Sequence, residues 1–173
     1  MKHILFTLLA LSFVSAFSQN HFCADVKIKQ QSAARSSVIS AHQDFLESKY
    51  DVKNVHLNLH VERTSLFIEG DVTSQALSVD ALDTFVCELH SNLVIDSILF
   101  NGQLNSFSRN AFAVIVPLTS PLSSGSLFTV QVFYHGTPPS SGGFSDGFSN
   151  ATSPSWGNIV TWSLSQPFAA HEW

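Results

Sequence analysis

Charged residues are scarce in this 173-residue chain, at 12% of the total, and no segment concentrates lysine or arginine. The formal net charge is −5, because 13 acidic residues outweigh 8 basic ones. Without a basic cluster, the sequence argues against nucleic acid or an anionic membrane surface as the main partner. The composition also argues against a disordered chain, because 45% of the residues are hydrophobic and 15 are Phe.

Cysteine is also scarce, since Cys23 and Cys87 are the only two. Two cysteines are too few for a disulfide-dense scaffold. In an exported protein the pair could still form one bridge, worth about 3–4 kcal/mol for so long a loop in the chain-entropy model. The sequence does not show whether the two residues come close, so Cys23–Cys87 is a candidate disulfide and two separate thiols are the alternative.

Long hydrophobic runs are absent after the N-terminal segment. No later stretch approaches the roughly 20 apolar residues of a membrane-spanning helix. The N-terminal apolar run, residues 4–14, follows the basic Lys2 and precedes small residues at Ala16 and Ser18. This pattern predicts a signal peptide over residues 1–18, with a buried N-terminal helix as the alternative. We therefore expect a secreted or periplasmic protein without a membrane anchor after cleavage.

Complete catalytic motifs are missing from the 173 residues. No His-Glu-x-x-His zinc motif occurs, and the His171-Glu172 pair that begins one is followed only by Trp173. His56 and His60 stand four apart, but four residues span about 13 Å along a strand, too far for a shared metal. No Gly-x-Ser-x-Gly nucleophile elbow is present. The residues alone therefore predict no catalytic centre and no cofactor in this chain.

What the sequence does contain is one helical pattern followed by many short strand patterns. Residues 19–49 form an extension, in which apolar residues recur at helical spacing over about 32–48. From Asp51 the period becomes two, and Val55, Leu57 and their successors predict a strand with one buried face. Further strands are predicted at residues 66–72, 82–89, 93–100, 103–107, 111–116, 127–135 and 158–163. The fold class is therefore mainly β, a sandwich or an open curved antiparallel sheet with one short N-terminal helix.

Turn chemistry separates these strands. Asn101-Gly102 predicts a type I′ hairpin turn, and the turn-rich residues 117–125 predict a break between two strands. Residues 136–157 are dense in Gly, Ser and Pro, yet they carry Trp156. A loop of that length is typically functional, so this segment is a candidate binding surface. It also contains a glycosylation sequon at Asn150, for which an ordinary loop Asn is the alternative.

Four segments in order carry a family resemblance. They are Tyr50-Asp51-Val52 leading into an alternating strand, the Ile-x-Gly-x-Val pattern of residues 68–72, the Tyr-x-Gly end of residues 132–136, and residues 161–173. Together they resemble the N-terminal domain of M1-family zinc aminopeptidases of the secreted bacterial type. The resemblance implies a saddle-shaped β domain over residues 50–173, incomplete at its C-terminus and truncated before the catalytic domain.

The resemblance also implies a function. In this family a catalytic domain, packed in cis against the β domain, supplies the zinc site, and the whole enzyme removes N-terminal residues from peptides. Within residues 161–173, the family places a Glu or Gln before Pro or Ala to hold the substrate's α-amino group. The matching residue is Gln166, before Pro167, whereas Leu164 stands where a second Gln is common. This chain alone is expected to lack catalytic zinc and peptidase activity.

Two alternatives remain open. The chain could be a secreted, non-catalytic β-sandwich binding module that uses the aromatic-rich segment 136–157. Gln166 could also do no more than satisfy a strand end. If the domain is incomplete, an unpaired sheet edge and exposed apolar surface should make the isolated chain marginally stable or prone to aggregation.

Overall fold

The computed structural model describes residues 45–140, 148–163 and 170–173. The predicted signal peptide, Cys23, Gln166 and most of the predicted 32–48 helix lie outside these residues. Residues 45–47 are helical and end in a turn at residues 48–49.

Antiparallel strands make up most of the described chain, which confirms the mainly-β prediction. The strands are β1 (Tyr50–Val61), β2 (Ile68–Ser78), β3 (Leu82–Glu88), β4 (Leu93–Phe100), β5 (Gln103–Asn105), β6 (Ser108–Asn110), β7 (Ala113–Leu122), β8 (Leu127–Gly136), β9 (Phe148–Thr152) and β10 (Ile159–Ser163). One sheet has the order β1-β2-β8-β4-β5, a second has β3-β7-β6, and β9 and β10 form a hairpin. A 3₁₀ turn spans Ala170–Glu172.

The five-stranded and three-stranded sheets face each other across one aromatic core. Phe85 of the smaller sheet packs against Phe100 and Phe128 of the larger one, with ring centroids 6.4 and 6.0 Å away. Tyr50 joins the two layers, since its ring lies 5.0 Å from Phe85 and its hydroxyl donates to the carbonyl of Val86 at 2.5 Å. This packing is that of a β-sandwich.

The outer face of the three-stranded sheet is also covered. Leu46, in the helical segment that precedes β1, is only 7% exposed and packs with Val86 and Ala113. Because side chains alternate along a strand, Val86 points away from the face that carries Phe85. The smaller sheet is therefore packed on both sides.

Two glycines of the family-like segments mark close approaches between strands. Gly70 and Gly136 both have φ of 149°. A Cβ at Gly70 would lie 2.1 Å from the carbonyl oxygen of Asn58, and one at Gly136 would lie 2.4 Å from that of Asn92. Neither backbone conformation nor space permits a side chain, so these positions require glycine.

Strand β1 departs from its prediction. Its alternating residues were expected to bury one face, yet Val55 and Leu57 are 53% and 48% exposed. Of this face, Leu59 packs against the core, as does Tyr50 at the start of the strand. Since β1 is the edge of the larger sheet, the smaller sheet does not extend over most of it. The expectation of a buried face was therefore wrong for most of β1.

Two loop predictions were wrong and one turn was confirmed. Strand β9 lies inside the predicted loop 136–157 and pairs with β10. Strand β7 continues through Pro117, which sits exposed beside a register shift, a position where the missing amide hydrogen costs little. Asn101 and Gly102 have φ of 49° and 76°, as a type I′ turn requires.

Candidate functional site

The segment that carries the predicted substrate anchor is described only at its two ends. Strand β10 ends at Ser163, and the chain is described again in the 3₁₀ turn Ala170–Glu172. Gln166 and Leu164 lie between these points, outside the described residues. The proposed role of Gln166 therefore stays a prediction, and the structure bears on the turn that follows it.

The 3₁₀ turn is fixed to the β domain through His171. The His171 ring stacks on Phe112 with centroids 4.9 Å apart, and Phe112 stacks on His90 at 5.0 Å. The backbone amide of His90 donates to the carbonyl of His171 at 2.6 Å. Nδ1 of His171 also lies 3.8 Å from a carboxylate oxygen of Glu88. We call His90, Phe112 and His171 the histidine stack.

Arg109 holds the connection between β3 and β4, on which His90 lies. Its guanidinium donates to the carbonyl oxygens of Leu89 and His90 at 2.5 Å and of Leu93 at 2.6 Å. Three carbonyls on one guanidinium fix the path of this connection. The histidine stack therefore has a rigid support on the β-domain side.

His90 is held in its neutral form. Its Nδ1 accepts a hydrogen bond from the backbone amide of Asn92 at 3.2 Å, so Nδ1 carries no proton. Burial lowers the pKa of His90 below its usual 6.5, and the charges of His171 and Arg109 lower it further, while Glu172 opposes them. Near neutral pH the ring is therefore uncharged.

A cavity of about 130 Å³ lies between the two sheets beside this turn. Its lining includes Val72, Phe85, Cys87, Val132 and Trp173. Trp173 meets the ring of Phe148 edge-on, with centroids 4.9 Å apart. Burial raises the pKa of the Cys87 thiol to about 12, so the thiol stays protonated and is no nucleophile at neutral pH.

Neither a disulfide nor a metal site is present within the described ranges. Cys87 has no disulfide partner there, but Cys23 lies outside them, so the Cys23–Cys87 pair stays a prediction. No three His, Cys, Asp or Glu side chains of residues 45–140, 148–163 and 170–173 gather into a possible metal site. These residues therefore offer no set of ligands for zinc. In the same ranges, no helix has the length and apolarity needed to cross a bilayer.

Asp71 has a buried carboxylate on the outer face of the larger sheet. One oxygen accepts from the Asn58 amide at 2.9 Å, and the other accepts from Gln131 at 2.9 Å and from Thr73 at 3.4 Å. The hydrogen bond from Gln131 is the main reason that its pKa lies below 3.8. An ionised, fully bonded carboxylate is suited to a structural role and not to general-base catalysis.

Two exposed tryptophans lie on the β9–β10 hairpin, which contains the described end of the candidate binding segment. Trp156, in the hairpin turn, is 79% exposed, and Trp162 of β10 is 43% exposed. Asn150 of the sequon donates its amide to the carbonyl of Arg63 at 2.6 Å and to the Thr161 hydroxyl at 2.9 Å. Because that nitrogen is committed to the fold, the ordinary-Asn alternative is favoured over glycosylation.

The described strands are similar in fold to the N-terminal domain of M1 zinc metallopeptidases, as comparison with solved structures shows. An M1 zinc metallopeptidase from Deinococcus radiodurans, solved as a mutant bound to a Tyr-Ser-Ala substrate, is 28% identical to this chain with a TM-score of 0.60. That match covers 72% of this chain and 28% of that chain. Another structure of an M1 zinc metallopeptidase from this organism is 29% identical over 61% of this chain and 26% of that chain, with a TM-score of 0.51.

Native yeast LTA4 hydrolase shares the fold at 17% identity, with a TM-score of 0.57 over 72% of this chain and 20% of that chain. No protein-family model and no curated protein matches the sequence. The predicted resemblance to the M1 N-terminal domain is confirmed at the level of structure. This chain spans 28% of the length of the Deinococcus chain.

The histidine stack was not found from the sequence. His171 attracted notice only as the start of a zinc motif, and neither His90 nor Phe112 stood out. The stack joins residues 90 and 171, which are far apart in the chain, and it leaves no periodic pattern. No local sequence motif therefore marks the histidine stack.

Proposed function

We propose that this chain forms the N-terminal β domain of an exported M1-like zinc aminopeptidase, an enzyme that removes N-terminal residues from peptides. The observation that carries the proposal is the shared fold at 28% identity over 72% of the chain. In this proposal the domain supplies scaffold and the amino-group anchor Gln166. Zinc and its ligands belong to a catalytic domain that packs against it.

Exposed apolar surface on the β domain supports the proposal that a catalytic domain packs against it. Val55, Leu57 and Val61 lie on one face of β1 and are each about half exposed, at 53%, 48% and 45%. Val160 and Trp162 on the β9–β10 hairpin add 40% and 43% exposed side chains. Clusters of exposed apolar side chains are typical of sites that pack against another protein surface.

The nucleotide sequence downstream of the Trp173 codon is the first test. The resemblance to secreted bacterial members implies a Trp-Pro-Cys directly after Trp173, so we expect the reading frame to continue with these residues and, further on, with His-Glu-x-x-His. A stop codon with no such frame beyond it would contradict the aminopeptidase proposal. The 173-residue chain itself should release no amino acid from peptide substrates, and zinc-dependent hydrolysis by the purified chain would count against this division of roles.

The role of Gln166 is tested in the extended enzyme. A side-chain carbonyl accepts hydrogen bonds from the substrate ammonium, and a hydrogen bond to a charged group contributes about 1.5–3 kcal/mol. Gln166→Ala should therefore lower kcat/KM by about 10- to 100-fold. Gln103→Ala, on the exposed strand β5, is the matched control and should leave kcat/KM unchanged. Equal kcat/KM values for the two variants would show that Gln166 does not hold the substrate.

Export is tested separately. A signal peptide over residues 1–18 predicts that the mature protein begins at Gln19 and is recovered from the periplasm or the medium. N-terminal sequencing of the protein from each cell fraction determines both its first residue and its compartment. An intact Met1 on protein that stays in the cytoplasm would contradict export without affecting the family proposal.

A second candidate function is favoured by one observation, the 79% exposure of Trp156 in the hairpin turn. A secreted binding module would use such an aromatic side chain to contact a glycan or peptide. A ligand screen on the chain followed by Trp156→Ala tests this, with Leu104→Ala on exposed β5 as the control. Saturable binding lost only in the Trp156 variant would favour the module.

A further inference from the structure

The histidine stack is the main contact described between the 3₁₀ turn and the β domain. On the turn, His171 supplies a stacked ring, a carbonyl acceptor and an ion-pair partner for Glu88. On the domain, His90 supplies the backbone donor and the other histidine ring. Two imidazoles that meet on one phenyl ring make this contact sensitive to protonation.

We propose that the histidine stack is a pH-dependent clamp. Near neutral pH it holds the 170–172 turn and Trp173 against the β domain. In mild acid, protonation of His90 weakens the clamp and releases the turn. The clamp is independent of the aminopeptidase proposal, because every group in it belongs to this chain.

The hydrogen bond from Asn92 supplies the geometric reason. Nδ1 of His90 accepts from that backbone amide, and a proton on Nδ1 would turn the acceptor into a second donor facing the same N–H. Protonation must therefore break this bond and shift the ring, which disturbs the stack on Phe112. The amide of the same residue holds the His171 carbonyl, so the disturbance reaches the turn directly.

The charged groups around the stack have opposing effects on the protonation of His90. Arg109, bonded to the His90 carbonyl, and His171 disfavour a positive charge on His90. Glu172 favours that charge, and a carboxylate oxygen of Glu88 lies 3.8 Å from Nδ1 of His171. Burial of the His90 ring, together with Arg109 and His171, outweighs Glu172, so the pKa of His90 is lowered.

The sign of the effect follows from the groups that leave with the turn, because Arg109 stays on the β domain in both states. Of the two groups on the turn, His171 lowers the pKa of His90 more than Glu172 raises it. A histidine whose pKa is lower in the docked state than in the released state disfavours docking as the pH falls below its usual 6.5. At neutral pH both states are uncharged and the penalty vanishes. Each unit by which docking lowers the pKa weakens docking about tenfold once the pH is below the docked-state value.

Release would also open the cavity between the sheets. Trp173 follows the turn directly, lines the cavity and packs edge-on against Phe148. When the turn leaves, the indole moves from this apolar contact into water. Its fluorescence therefore reports the state of the clamp.

The experiment uses the 173-residue chain with Trp156→Phe and Trp162→Phe, which leaves Trp173 as the sole tryptophan. Emission is followed from pH 8 to pH 4.5, with circular dichroism to monitor the β domain. We expect a red shift with a midpoint below pH 6.5 while the β signal persists. Hydrogen exchange should show the His90 amide losing about tenfold or more of its protection. Emission that stays constant, or that shifts only as the β domain unfolds, would overturn the clamp.

Substitutions identify the titrating group. His90→Phe keeps an aromatic ring on Phe112 but cannot be protonated, and His90→Asn keeps an acceptor for the Asn92 amide. In each His90 variant that folds, the red shift should disappear. The control His60→Phe, on exposed β1, should keep the red shift. A red shift that survives in the His90 variants, or that disappears only in His171→Phe, assigns the proton elsewhere and overturns the proposal. Peptidase activity plays no part in the readout.

Discussion

Strands β8 and β1 lie in the same sheet and carry the same alternation of apolar residues, yet their environments differ. In β8, Phe128 and Val130 are 3% and 1% exposed, whereas in β1, Val55 and Leu57 are 53% and 48% exposed. Strand β8 has a neighbour on each side, whereas β1 is the edge strand. Alternation thus identifies which residues share a face, but burial also requires a layer opposite that face.

The strongest test of this difference is Phe128→Ala. Phe128 contacts three aromatic rings of the core, so the cavity left behind should cost about 3–5 kcal/mol in the free energy of unfolding. Leu127→Ala, one residue earlier on a side chain that is 73% exposed, should cost no more than about 0.5 kcal/mol. Urea denaturation measures both, and similar losses would mean that the two faces of β8 do not differ as described.

A second test probes the contact between the edge strand and the rest of the sheet. At Gly70 an added Cβ would meet the Asn58 carbonyl oxygen of β1 in a backbone conformation that favours glycine. Gly70→Ala should therefore lower stability by about 2–4 kcal/mol through strain and displacement of β1. Gly102→Ala, with open space around it, should cost only about 1–2 kcal/mol. Equal costs in thermal melts would mean that β1 is loosely attached.

Asp71, on the outer face of the same sheet, should make the free energy of unfolding depend on pH. Asp71→Asn places an amide where the carboxylate accepts from Gln131, and the loss should be about 1.5–3 kcal/mol at neutral pH. Because the folded-state pKa is lowered, the carboxylate stabilises the fold above about pH 4, and this contribution is lost as the pH falls through the folded-state value.

The measurement is the free energy of unfolding of both chains from pH 7 to pH 2. The difference between wild type and Asp71→Asn should shrink below about pH 4. Asp83→Asn, exposed on β3, is the control and should follow the wild type throughout. A difference that is constant with pH would show that the charge of Asp71 does not contribute.

The smallest effect on stability is expected on the exposed face of β1. Leu57→Lys should change the free energy of unfolding by no more than about 0.5 kcal/mol and should reduce self-association, since a charge blocks pairing of an open edge. Leu59→Lys, two residues on and packed against the core, should be clearly destabilising. Light scattering and urea melts measure the pair, and a large loss of stability in Leu57→Lys would show that this face is packed.

The sequence allowed much of the fold to be predicted. Strands near residues 82–89, 93–100 and 127–135 were found, because their apolar pattern is strong and turn residues bound them. Strand β9 was missed because a Gly- and Ser-rich composition hid a five-residue strand that depends on its partner β10. The continuation of β7 through Pro117 was missed because proline normally ends a strand.

The candidate site was less predictable. The resemblance led to Gln166, but His90, Phe112 and His171 come together only through the paths of β3, β4 and the 3₁₀ turn. The exposure of β1 could not be predicted either, because Leu57 and Leu59 look alike in sequence and differ only in what lies opposite them. Tertiary packing decides both outcomes.

Leu46 fixes the end of the N-terminal extension to the folded domain. Leu46 covers Val86 and Ala113 on a sheet whose other side is already packed. A protease that trimmed the N-terminal extension as far as Tyr50 would uncover this apolar patch and give a less soluble product. We therefore expect the last residues of the extension, from residue 45 onward, to be retained as part of the folded domain.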